Sequence, residues 1–139
     1  MRYRTETSGY IIKLAIDDEI GSSLIEFAAR EKIDAAHFWG IGAAKGIILG
    51  SYDITDKVYH KMELPGVWEI ASLAGNLART EEGPILHIHG VFSDEKCQTR
   101  GGHVFSMTCA ATVEIYLVNL SAGLVREYDE VTGLKLLNI

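Results

Sequence analysis

Apolar and polar residues alternate along most of the chain, a period of two that marks half-buried strands. "YIIKLAI", residues 10–16, is the first clean example. The period changes once, in "SSLIEFAAREK", residues 22–32, where Leu24, Phe27 and Ala28 fall at i, i+3 and i+4 on one face of a helix. Ser22 or Ser23 suits its N-cap, and Arg30 and Lys32 suit the negative pole at its end. Alternation then resumes. "AAHFWGIGAAKGIILGSYD" reads as one bent strand or two, with Gly40, Gly42 and Gly46 permitting bulges. "VYHKMEL" reads as a short strand before a Pro65–Gly66 turn. "VWEIASLAGNLAR", "PILHIHGVF", "GHVFSMTCA" and "TVEIYLVNL" read as further strands separated by turns, and "LVREYDEVTGLKLLNI" adds one or two short ones. The pattern predicts an α+β domain, a strongly curved and mostly antiparallel sheet of about seven strands carrying one main helix.

Composition adds limits. A chain of 139 residues, with no linker, repeat or low-complexity tract, predicts one domain over residues 1–139. The net charge of −6 argues against a broad, non-specific grip on nucleic acid or anionic membrane. Two cysteines, Cys97 and Cys109, make no disulfide framework and suit a reducing compartment. The N-terminus is charged and alternating rather than signal-like, and no apolar run approaches a membrane span. The expectation is a soluble, cytoplasmic protein.

The chemistry concentrates in "ILHIHGVFSDEKCQTRGGHVF", residues 85–105, which holds three of the five histidines. On a strand, His87 and His89 share a face. If the hairpin turns about Lys96, His103 lies across from His89, with Cβ atoms about 5 Å apart. Three imidazoles then converge on one side of a ribbon, a ligand set that suits tetrahedral zinc with an open fourth position, or another imidazole-friendly divalent metal. A one-residue slip of register would send His103 to the opposite face. Asp94 and Cys97 lie in the same loop and read as solvated residues rather than a fourth ligand. His37 and His60 have no partner pattern and read as structural.

Glu69 interrupts an apolar strand. It reads foremost as a sheet-edge or interface charge, and, if it stands near the metal, as a general base. Other motifs fail. "GIGAAKG" has Lys45 where a dinucleotide fingerprint needs its third glycine, and there is no P-loop, no C-x-x-C pair and no G-x-S-x-G elbow.

Taken in order, "GIGAAKGIILGSYD", "GVWEIASLAGNLA", "GPILHIHGVFSDE", "GGHVFSM" and "REYDEVTGLKLL" resemble the PPC domain, the "plants and prokaryotes conserved" domain, from about residue 8 onward. The resemblance implies a seven-stranded, mainly antiparallel sheet beside helices, assembled as a homotrimer. It implies zinc at His87, His89 and His103 as in some prokaryotic members, and a DNA association like that ascribed to relatives. In land plants the domain follows an arginine-rich AT-hook; no R-G-R-P arm stands in this sequence, so minor-groove reading has no residues to perform it. Arg2, Arg4, Lys57 and Lys61 could form a local basic patch. Independently of the resemblance, many apolar strands with few helices leave a sheet face needing cover, and "VWEIASLAG" and "TVEIYLVNL" suit strands buried between subunits. Two functions follow as expectations: a trimeric, metal-containing binding module of the stand-alone type, or a zinc-dependent hydrolase or lyase using the three histidines, with Glu69 as base.

Overall fold

The computed structural model describes residues Met1–Ile139. In chain order it comprises β1 (Arg2–Glu6), β2 (Gly9–Leu14), α1 (Ile20–Glu31), β3 (Ala36–Asp53), β4 (Val58–Thr80), β5 (Gly83–Ser93), β6 (Thr99–Asn119), β7 (Val125–Asp129) and β8 (Leu134–Asn138). All eight strands belong to one sheet, ordered β1-β2-β6-β3-β4-β7-β8, with β5 pairing to both β4 and β6. Every pairing is antiparallel except a single parallel contact between Arg79 of β4 and Val125 of β7. Because β3 also pairs with both β4 and β6, the four longest strands close on one another and wrap the core.

That core is one cluster of 24 buried residues, with Ile12, Phe38, Ile47, Phe92 and Ile115 fully buried from the sheet. The helix presents Ile20, Leu24, Phe27 and Ala28 to it. Phe27 also takes the edges of Tyr3 and Tyr10, each with ring centroids 5.0 Å away. No helix is long and apolar enough to cross a membrane.

The α+β architecture, the single helix and the curved antiparallel sheet agree with the sequence pattern; the boundaries differ where local chemistry competes with it. The helix begins at Ile20, and its N-cap is Glu19, whose carboxylate accepts the Ser22 amide at 2.6 Å. Burial of Ile20 pulls this extra turn into the helix ahead of either serine. The predicted Pro65–Gly66 turn is a corner within one continuous β4. The β3–β4 register shifts there, opposite Gly46, and both Gly46 (φ 60°) and Gly66 (φ 82°) adopt the left-handed backbone that a glycine tolerates. "GHVFSMTCA" and "TVEIYLVNL" likewise join as one bent β6, with the irregularity taken up between Gly42 and Ala44 of its neighbour. β1 adds an edge strand that the alternation does not mark, because all five of its residues are exposed.

Candidate metal centre

The register on which the histidine reading depends is present: His89 and His103 are Cα partners in the β5–β6 ladder. The loop between these strands, residues 94–98, is closed by Asp94, whose Oδ1 accepts the amides of Lys96 and Gln98, both at 2.9 Å. Its carboxylate is thereby committed to the turn, and Cys97 holds a left-handed φ of 57° on the exposed loop. Both belong to loop structure, as their sequence context suggests.

His87 enters from one step further along β5. Ring centroids of His87 and His89 are 5.0 Å apart, those of His87 and His103 5.3 Å, and those of His89 and His103 5.5 Å. One ligating nitrogen from each ring lies within 4.8 Å of the others. A tetrahedral zinc with Zn–N bonds of about 2.0–2.1 Å needs nitrogens about 3.3 Å apart, so modest rotation about the side-chain bonds would close the set. His87 Nε2 and His89 Nε2 already stand 3.1 Å apart.

The surroundings favour the neutral form of His87 and His103. Burial, then the charge of Arg126, then the other two rings, push the His87 pKa down from 6.5 to about 4. Burial is also the leading cause that lowers His103. Neutral imidazole is the form that ligates a metal. One nitrogen, Nδ1 of His103, is buried with no hydrogen-bond partner, a requirement that a bound cation would meet.

Two residues that the histidine spacing did not reveal complete the site. Arg126 on β7 donates from its Nη2 to Asn76 Oδ1 at 3.1 Å and to His87 Nδ1 at 3.0 Å, and from Nη1 to the Lys135 carbonyl at 2.9 Å. A guanidinium can only donate, so Nδ1 of His87 is the acceptor and its ring proton sits on Nε2, directed at His89. Asn76 is the β4 partner of His87. Asn76 and Arg126 lie in the "AGN" and "REYD" stretches of the quoted motifs, but no local spacing links Arg126 to His87, 39 residues before it, or to Asn76, 50 residues before it. On the other side of His103, Tyr59 and Phe105 pack with ring centroids at 5.1 and 4.9 Å. A cleft of about 260 Å³ opens beside the cluster, lined by His87, His103, Arg126, Tyr59 and the β8 residues Leu134 and Leu136 among others.

Glu69 is not brought to the histidines. It is exposed on β4 opposite Ser93, four residues along β5 from His89, which is about 13 Å at strand spacing. His60 faces Asp53 at 4.0 Å and His37 packs beside Trp39 at 5.9 Å, both away from the cluster. The four basic residues considered as a patch are divided. Arg2 and Arg4 stand on edge strand β1, whereas Lys57 and Lys61 stand at the β3–β4 hairpin, which β1 does not adjoin.

The same face of the sheet carries an apolar band. Ile11, Tyr116, Trp39, Ala74 and His89 form one cross-strand row over β2, β6, β3, β4 and β5. Trp39 and Tyr116 stack at 5.7 Å yet remain 46% and 37% exposed, and Ile41 beside them is 53% exposed.

A family model for the Plants and Prokaryotes Conserved (PCC) domain matches residues 1–121. The chain belongs to this family. No curated protein matches it. Among solved structures, a metal-containing protein from Archaeoglobus fulgidus is 31% identical, with TM-score 0.86 over 100% of this chain and 99% of that one. A candidate DNA-binding protein from Ralstonia eutropha is 27% identical, with TM-score 0.90 over 99% and 95%. A plant- and prokaryote-conserved protein from Pyrococcus horikoshii, 24% identical with TM-score 0.88 over 99% and 95%, shares the fold of this PCC domain.

Proposed function

We propose that this PCC domain is a metal-dependent binding module in which His87, His89 and His103 hold a divalent cation, zinc by the character of the donors, within a homotrimer. The observation that carries the reading is the convergence of one nitrogen from each of three imidazoles within 4.8 Å, in a cluster where His103 also has a buried, unpartnered Nδ1. The similarity to the metal-containing A. fulgidus protein supports it. Neutral nitrogen donors suit zinc, and a zinc ion held by His87, His89 and His103 would supply Lewis-acid chemistry there. The protein's own part is to orient the rings. For His87 to ligate through Nε2, the ring proton moves to Nδ1 and Arg126 gives up that contact, keeping Asn76 and the Lys135 carbonyl.

The homotrimer is supported by the exposed Trp39–Tyr116 band. A cyclic assembly would bury it without leaving an open-ended surface. DNA as a partner rests on the resemblance to proteins such as that of R. eutropha; the net charge of −6 and the divided basic residues give it no electrostatic support.

A second reading, a zinc-dependent hydrolase or lyase, is favoured by one observation: the cleft beside the histidines gives a small molecule access to the site. Its chemistry would need a base other than Glu69, which lies away from the cluster within the chain.

The test is metal analysis and light scattering on tag-free protein, wild type beside His89→Ala and Trp39→Lys. We expect near one zinc per chain, lost in His89→Ala, and a trimer that Trp39→Lys dissociates. A wild type without metal after zinc is supplied overturns the metal reading, and a wild-type mass of 15.3 kDa overturns the trimer.

A further inference from the structure

We propose that the cleft beside the histidines is a binding site for a small aliphatic carboxylate, held by Arg126. The inference rests on the metal reading for part of its electrostatics, but its principal observation is independent of it. Arg126 is 8% exposed and is the one charged residue among the buried side chains. Its three acceptors, the Lys135 carbonyl, Asn76 Oδ1 and His87 Nδ1, are all uncharged. Five guanidinium N–H groups meeting three acceptors leave two unmatched, and buried Nε is among the groups without a partner. A buried charge is costly to retain unless a counter-charge is supplied.

Elsewhere the chain supplies one. Lys45 pairs with Asp17, Arg79 with Asp34, and Lys135, at the rim of this same cleft, with Glu82 at 2.5 Å. No aspartate or glutamate lines the cleft. With a divalent cation on three neutral imidazoles, the fixed charge beside this cavity rises to +3, and ligation by His87 frees a further Arg126 N–H. An anion is what the site lacks.

The walls define its class. Ile85, Leu86, Leu134 and Leu136 make them largely aliphatic. The volume of about 260 Å³ lies below the range of about 300–1,000 Å³ typical of drug-sized ligands. A guanidinium can meet either a carboxylate or a phosphate with two N–H groups; a carboxylate has only two oxygens, so with few Arg126 N–H groups free it leaves fewer acceptors unmet in this largely aliphatic cleft. A short aliphatic chain would then lie against the leucines.

The experiment is calorimetric titration of zinc-supplied, full-length protein with butyrate, butyramide and inorganic phosphate, repeated on metal-free protein, with zinc content measured in each sample. We expect butyrate to bind, and butyramide and phosphate to bind much more weakly. Arg126→Gln should retain zinc and weaken butyrate by about tenfold or more, the size of one lost charge-assisted hydrogen bond. Leu136→Glu, at a 40% exposed position on the cleft wall, leaves the fold intact and supplies a carboxylate in place of the ligand, so it should also abolish binding. Equal binding of butyramide or phosphate, unchanged affinity in Leu136→Glu, or no butyrate binding to a zinc-bearing protein overturns the proposal. Arg126-dependent butyrate binding to a protein that takes up no zinc would uphold the anion site and refute the metal reading alone.

Discussion

Gly75→Ala tests whether the strand packing that carries His87 is as tight as the geometry requires. Gly75 lies between Phe38 of β3 and Ile88 of β5. A Cβ there would sit 2.5 Å from the His87 carbonyl oxygen and 2.5 Å from Cζ of Phe38. Ordinary contact starts at 3.4 Å, so both approaches fall short by about 0.9 Å. Neither neighbour can yield easily: one is the backbone of β5, and the other is a ring at 0% exposure in the core. Overpacking costs about 1–3 kcal/mol, and two rigid clashes place this substitution near 3 kcal/mol. At a urea slope of about 1.5 kcal/mol/M, the midpoint should fall by about 2 M. The assay is equilibrium urea unfolding, with Gly123→Ala, which would meet nothing within 4 Å, as the control. Because the clashing oxygen belongs to His87, zinc affinity should fall with stability. A Gly75→Ala midpoint as close to wild type as that of Gly123→Ala would refute this account of the β4–β5 packing.

Two further outcomes follow from the same structure. In metal-free protein the folded state holds His87 near pKa 4 against 6.5 for a free ring, so between those values the unfolded chain binds a proton that the native one does not. Stability from this ring is therefore complete above pH 6.5 and is lost as pH falls toward 4; the full linkage is about 3 kcal/mol, which solvent screening of this only partly buried ring reduces to roughly 1–2. Urea midpoints in chelator across that window should show the loss in wild type and a smaller one in His87→Gln; identical slopes would refute it. At the helix start, Glu19→Ala should cost about 1 kcal/mol by thermal unfolding and Glu19→Ser much less, since serine can still cap; equal losses would remove the capping role.

Much of the histidine cluster was legible because strand geometry is simple. Two histidines one residue apart share a face, and a hairpin centred on Lys96 puts His103 opposite His89, which is the observed register. The parts that escaped are those that depend on distant chain segments. Arg126 reaches His87 across 39 residues through a parallel contact between β4 and β7 that no local pattern announces. Glu69 illustrates the converse. It interrupts an apolar run, yet the bulged β4 simply turns it to solvent. In the fold, alternation located the strands well but could not distinguish a turn from a corner. Pro65–Gly66 and residues 110–112 bend strands that continue through them, because the neighbouring strand supplies a matching irregularity.

The most direct test of the central claim is a crystal structure of zinc-supplied protein with anomalous data collected on both sides of the zinc absorption edge. The account predicts one anomalous peak per chain, at bonding distance from one nitrogen each of His87, His89 and His103, about 2.0–2.1 Å, with no protein carboxylate completing the set. A peak elsewhere, or none at the histidines under saturating zinc, would contradict it.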